Sequence, residues 1–139
     1  PKQGSHSWAV AIFSMLAKKG KPITVFGDGN QIRDFTHVSD IAESVVRSID
    51  KDSTNGKFFN SGTGKPTTVN QIVKYVFENI EKVPINYKPY PKGDPLGGYA
   101  DVTLMKKYLN WEPEISLDKG IKEYFEWLSN HEHLVPDWF

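Results

Sequence analysis

Apolar side chains recur at helical spacing in four or five stretches of the chain, with short β-prone runs between them. Val10, Ile12, Phe13 and Leu16 predict a first helix over about Trp8 to Lys19, stopped by Gly20 and Pro22. Ile23 to Phe26 is a β-prone run closed by Gly27-Asp28-Gly29-Asn30. That quartet is strong turn chemistry, because Gly and Asn tolerate positive φ. Arg33 to Val38 reads as another extended piece. Ser39 or Asp40 is then expected to cap a helix, about 39–51, whose apolar face is Ile41, Ala42, Val45, Val46 and Ile49.

In the second half, Asn55-Gly56 predicts a turn into a strand, Lys57 to Asn60, ended by a Gly62-Thr63-Gly64 loop. Thr68 followed by Gln71 forms a capping-box pattern ahead of Ile72, Val73, Val76, Phe77 and Ile80. Ile85 to Tyr90 is expected to be extended, and Pro91-Lys92-Gly93-Asp94-Pro95 to be a loop. Asp101 can cap a short helix over Leu104, Met105, Tyr108 and Leu109. A last helix, starting near Ser116, presents Leu117, Ile121, Tyr124, Phe125 and Leu128 at helical spacing. The pattern is mixed α/β, four or five helices with short strands, and 139 residues fit one compact domain or part of a larger one.

Composition narrows the function classes. Hydrophobic residues make up 38% and charged residues 24%, an ordinary globular balance. Lys plus Arg equals Asp plus Glu at 17 each, so no general field exists to hold nucleic acid or an acidic membrane surface. Any anion must be held by a local arrangement of donors. The absence of cysteine excludes a disulfide framework, a thiolate metal site and a cysteine nucleophile, and it fits a cytoplasmic protein. No apolar run approaches the ~20 residues that span a bilayer. Pro1-Lys2-Gln3-Gly4-Ser5 has neither the apolar core of a signal peptide nor an initiator methionine, so the chain is expected to be cut from something longer.

The most informative stretch runs from Pro22 to Asp40. A glycine-rich turn lets backbone approach a ligand closely, and Gln31 and Arg33 then project to the same side of the following extended segment. A guanidinium beside an amide suits a phosphate and a neighbouring sugar or base edge. On physics alone the alternative stays open: a hairpin turn with Arg33 paired to Asp28 or Asp34.

This stretch resembles the "pitvyGdGxQxRDFxhVxD" segment of the extended short-chain dehydrogenase/reductase family of sugar-nucleotide epimerases, dehydratases and decarboxylases. Phe59-Asn60-Ser61-Gly62-Thr63-Gly64 is similar to the family's "fNiGtG" strand and loop. Gly93-Asp94, Ala100-Asp101, Lys106, Leu109-Asn110-Trp111 and Pro113 resemble "GDvxxxxADxsKaxxxLGWxP", and Leu117 to Ile121 resembles "sLeeGl". The matches run from about Trp8 to Leu128. The resemblance implies that residues 1–139 are the carboxy-terminal substrate-binding portion of an extended Rossmann-type enzyme, whose dinucleotide-binding domain lies outside this chain. It implies a nucleoside diphosphate sugar as substrate, met by Val25, Phe26, Gln31 and Arg33, with Arg33 on the diphosphate and Gln31 on the ribose or base side. Lys92 and Asp94 join this set from the Gly93-Asp94 loop. The helix after Asp40 is implied to pack on the cofactor domain.

One position departs from the family pattern. An arginine usually stands three residues before the aspartate of the "GD" pair; here that residue is Pro91, with only Lys92 basic beside it. Lysine supplies charge but not a bidentate fork. Tyr87-Lys-Pro-Tyr-Pro with Leu96-Gly-Gly-Tyr99 is similar to the heptose 6-epimerase branch, which leaves the substrate class open.

The chain carries neither Gly-x-x-Gly-x-x-Gly after a strand nor Tyr-x-x-x-Lys, the family's catalytic pair. The resemblance therefore places catalysis and most binding of NAD or NADP in the other part of the enzyme, implies that this piece alone is inactive, and suggests a homodimer. A non-catalytic sugar-nucleotide-binding module, or a purely structural domain, are the alternatives. His6, His37, His131 and His133 offer a weak metal idea through His131-Glu132-His133, against which solvated tail histidines and a local role for His37 are the simpler expectation. Trp111, Trp127 and Trp138 are expected to pack in cores. Asp50, Asp52, Glu78 and Glu81 are expected on solvent faces, without the context of glycosidase chemistry.

Overall fold

The computed structural model describes residues 8–49, 51–93 and 97–134. His6, Asp50, Asp94, Pro95, Leu96 and Trp138 lie outside them. In chain order the elements are α1 (Ala9–Lys18), β1 (Ile23–Phe26), β2 (Ile32–Arg33), α2 (Val38–Ile49), a 3-10 turn (Asp52–Thr54), β3 (Thr67–Thr68), α3 (Val69–Asn79), β4 (Ile85–Lys88), α4 (Thr103–Leu109), α5 (Leu117–Asn130) and a final 3-10 turn (Glu132–Leu134). The five helices and short strands are those of an α/β protein. Among the described residues no helix is long and apolar enough to cross a membrane.

The chain divides into two compact units. Among the described residues, one comprises 8–31, 68–93 and 121–134; the other comprises 32–49, 51–67 and 97–120.

In the first unit β1 and β4 pair in parallel, with Ile23 opposite Ile85 and Phe26 opposite Lys88. Ile23 and Val25 point into a core shared with Phe13 and Ala17 of α1 and with Ile72, Val73 and Val76 of α3, all buried. Phe13 of α1 and Ile72, Val73 and Val76 of α3 are among the helical positions read from the sequence, whereas Ala17 was not, and Val10, Ile12 and Leu16 are only partly buried. Met15 packs with Leu128 of α5, and Ala11, Ile12, Leu16 and Tyr124 surround the pair. The capping box at the start of α3 is present: Thr68 Oγ1 accepts from Gln71 N at 3.1 Å, and Thr68 N donates to Gln71 Oε1 at 2.7 Å.

In the second unit Val102, Met105 and Leu109 form the centre, with Phe59, Ala100 and Trp111 packed around them. Arg47 holds Glu43 one helical turn back at 2.7 Å and lies 5.4 Å from the centre of the Trp111 ring. Lys51 closes the end of α4 by donating to Leu109 O.

Several expectations need correction. α2 starts at Val38, not after Ser39 or Asp40. His37 takes the capping place: its carbonyl accepts from Asp40 N and Ile41 N, and its Nδ1 accepts from Ser39 N at 3.3 Å. Asp40 is buried and its carboxylate accepts instead from Glu114 N and Ile115 N, both at 3.1 Å. Of the extended run expected over Arg33 to Val38 only Arg33 lies in a strand, as the second residue of β2, and Val38 already begins α2. Lys57 to Asn60 forms no strand, because no neighbouring strand among the described residues offers a ladder; Asn60 Nδ2 donates to Asp101 O at 3.2 Å. Asp101 accepts from Thr103 N at 2.9 Å, one residue ahead of the capping position, which Val102 occupies. Trp127 is not a core residue: it is 45% exposed and stacks between Tyr124 and His131.

Candidate functional site

The carboxyl ends of β1 and β4 lie side by side, and the chain leaves them through the two loops singled out from the sequence. In open α/β sheets this end of parallel strands is where ligands bind. Gly27 continues the ladder, its N–H donating to Lys88 O at 2.8 Å. A Cβ on Gly27 would fall 2.9 Å from the ring of Tyr90, so the two loops touch closely here. Gly27 and Gly29 hold φ of 69° and 78°, the left-handed region that favours glycine.

The turn between them is fixed by side chains. Asp28 accepts from Asn30 N and Asn30 Nδ2, each at 2.9 Å, and these bonds lower its pKa below the ordinary carboxylate value. Gln31 Nε2 donates to Phe26 O at 2.9 Å and so ties the residue after the turn to the end of β1. With the amide nitrogen committed to a carbonyl, Oε1 is left buried without a partner among the described residues. A buried acceptor without a donor carries a desolvation cost of about 1–3 kcal/mol.

Of the residues assigned from the sequence, the first unit brings Phe26 and Gln31 to this strand end. Phe26 is 44% exposed and Gln31 half-buried. Val25 is 1% exposed, so its side chain belongs to the core, and its backbone lies in the β1–β4 ladder opposite Tyr87. Lys92 is exposed on the loop that follows Tyr90. Asp94 lies outside the described residues.

Arg33 begins the second unit, where its neighbours on both sides are clamped. Ile32 bridges Gly97, whose missing Cβ would overlap the Ile32 backbone, and Ile32 O accepts from Gly98 N at 3.2 Å. Arg33 Nη1 donates to the same carbonyl at 2.7 Å. Asp34 is the second clamp. Its Oδ2 accepts from Gly64 N at 2.9 Å and Ala100 N at 3.1 Å, while Oδ1 accepts from Thr63 N at 3.1 Å and from the Thr63 hydroxyl. Partial burial pushes the Asp34 pKa up. The bonds from the Thr63 side chain and from the Ala100, Gly64 and Thr63 amides together outweigh it, and the net direction is down. The acidic neighbour of Arg33 is thus committed to a loop 30 residues on, and the guanidinium is carried on a backbone held at both sides.

Two residues of this arrangement were not picked out in the sequence as builders of the site. Asp34 entered only as a possible partner of Arg33, and Asn70, whose Nδ2 donates to Asp28 O at 3.0 Å, not at all. The position of Asn70 just inside the capping box was the one available signal.

A family model described as GDP-mannose 4,6 dehydratase matches residues 1–124. A UDP-glucuronate 4-epimerase of Thermodesulfobacterium geofontis is 38% identical over 117 residues, 83% of this chain and 36% of that protein. UDP-glucuronic acid decarboxylase 2 of Arabidopsis thaliana is 34% identical over 113 residues, 81% of this chain and 25% of that protein. Among solved structures, the UDP-glucose 4-epimerase of Thermotoga maritima, determined with UDP-glucose, superposes with a TM-score of 0.83 at 35% identity, covering 93% of this chain and 41% of that one. The fold is therefore that of a portion of the sugar-nucleotide epimerases. The chain belongs to the GDP-mannose 4,6 dehydratase family, within the extended short-chain dehydrogenases/reductases. It spans 36% of the length of the epimerase relative, well under two thirds.

Proposed function

We propose that this chain is the nucleotide-sugar-recognising, carboxy-terminal portion of an NAD(P)-dependent epimerase or dehydratase that acts on a nucleoside diphosphate sugar. The observation that carries this reading is the glycine turn at the carboxyl end of β1, followed by an Arg33 whose flanking residues are both clamped. Phe26, 44% exposed, offers an apolar surface for base and ribose at the end of β1. Arg33 supplies the charge-assisted donors a diphosphate needs. Lys92 adds a point charge one residue after Pro91, the position at which the family pattern carries an arginine.

The residues present do not fit a dinucleotide. The Gly27-x-Gly29 turn leads into β2, not into a helix whose N-terminus could meet a pyrophosphate. NAD or NADP is accordingly assigned to the remainder of the protein, as is the acid/base residue, and this chain alone is inactive in the reading. What this portion does is hold and orient the substrate. The exposed apolar face of α2, Val45, Val46 and Ile49, is assigned to packing on that remainder. A homodimer in the cytoplasm completes the reading.

Calorimetric titration of the full-length protein with UDP, GDP, ADP and dTDP tests it. Saturable binding of one of them, at one site per chain, is the expected result. If none binds, the nucleotide-sugar reading fails and the family membership speaks for the fold alone.

A further inference from the structure

Asn70, on α3, holds the glycine turn from outside it, and no role in recognition follows from its place in the sequence. Its Nδ2 donates to Asp28 O at 3.0 Å and to Asn30 Oδ1 at 3.2 Å. Its backbone N donates to Gly29 O at 3.0 Å. Its amide also fills the space into which a Cβ on Gly29 would project. Three consecutive turn residues, Asp28, Gly29 and Asn30, are thus held by one side chain and its own amide.

The helix behind Asn70 explains why this hold is rigid. The first N–H groups of a helix have no partner inside it. In α3, with Thr68 as the cap, the first three of them go outward: Val69 N to Gln31 O at 3.3 Å, Asn70 N to Gly29 O, and Gln71 N to Thr68 Oγ1. Two of the three therefore fasten the turn. The body of α3 is anchored by Val69, Ile72, Val73 and Val76, all buried. The turn is built onto the end of a fixed helix and shares its rigidity.

We propose that Asn70 is a positioning residue for nucleotide recognition: without touching substrate, it sets the Gly27–Gln31 turn in the conformation that receives the ligand. The proposal rests on the reading of this turn as part of the nucleotide-sugar site. Preorganised binding surfaces lose affinity when they must be ordered at the moment of binding. Asn70→Ala removes both side-chain bonds while leaving the backbone bond to Gly29.

The test measures UDP affinity, or that of whichever nucleotide the full-length protein binds, together with KM and kcat for the matching sugar nucleotide. It does so in wild type, Asn70→Ala, Gly29→Ala and the Gly29→Ala/Asn70→Ala double variant, with Arg33→Ala as a reference. Asn70→Ala is expected to raise Kd and KM about 5- to 20-fold with kcat within about twofold, the scale of two modest hydrogen bonds. Gly29→Ala is expected to be worse alone than in the double variant, because removing the Asn70 amide vacates the space the new methyl needs. Amide exchange of Asn30 in the unliganded protein is expected to accelerate in Asn70→Ala. Unchanged Kd and KM in Asn70→Ala, alongside weakened binding in Arg33→Ala, would overturn this inference and leave the site reading intact. Unchanged binding in both variants would overturn both. A fall in kcat at constant KM, or no relief in the double variant, would also overturn the positioning role.

Discussion

Asp34→Asn changes one atom of the second unit and is expected to cost several kcal/mol. The wild-type carboxylate satisfies three backbone N–H groups, of Thr63, Gly64 and Ala100, and the Thr63 hydroxyl. An amide in its place can keep its oxygen toward Gly64 N and Ala100 N. Its NH2 then faces Thr63 N, a donor against a donor, while the Thr63 hydroxyl can rotate to accept. One backbone donor is orphaned and two bonds lose the charge of their acceptor, which together amount to about 2–4 kcal/mol. Urea denaturation of the full-length protein should show this as a lower midpoint at unchanged slope.

The pH dependence supplies a second arm of the same experiment. The folded Asp34 pKa lies below its ordinary value, so its contribution is present above the unfolded pKa and is lost as pH falls through the folded one. The gap between wild type and Asp34→Asn should stay constant from neutral pH to about 5 and narrow below about 4, the unfolded aspartate range. A gap under about 0.5 kcal/mol at pH 7, or one that widens in acid, would refute the assignment of Asp34 as the clamp of the Gly62–Gly64 loop.

Two further changes test other parts of the account. Thr68→Ala removes one half of the capping box of α3 and should lower stability by about 1 kcal/mol in the same denaturation assay, with Gln71→Ala adding little on top of it. Val46→Asp, on a side chain 57% exposed here, should cost the full-length protein about 1–3 kcal/mol if that face is covered by the rest of the enzyme. Lys82→Asp, at an exposed position of the first unit, serves as the control and should stay within about 0.5 kcal/mol.

What could be read from the sequence was what is local. The capping box at Thr68 and Gln71 depends on residues three apart, and the turn at Gly27 to Asn30 on the φ its own residues tolerate, so both were legible. The start of α2 was not. A buried Asp40 looks like a cap in sequence, but its carboxylate is engaged by the amides of Glu114 and Ile115, more than 70 residues away. Lys57 to Asn60 was read as a strand following the Asn55-Gly56 turn, yet a strand exists only with a partner, and no local pattern reveals whether one is there. The candidate site shows the same division. Gln31 and Arg33 stood out through alternation and the family resemblance. Asn70, 40 residues beyond the turn it braces, becomes visible only once α3 is seen to start against that turn.

The central claim is that Arg33 meets the diphosphate of a nucleotide sugar, and calorimetry on Arg33→Ala in the full-length protein tests it most directly. With the nucleotide that binds wild type, the variant should lose roughly 1.5–3 kcal/mol of binding free energy, the scale of a charge-assisted contact. The loss should shrink for the corresponding nucleoside, which has no phosphate. Binding of the diphosphate by Arg33→Ala as tight as by wild type would contradict the claim.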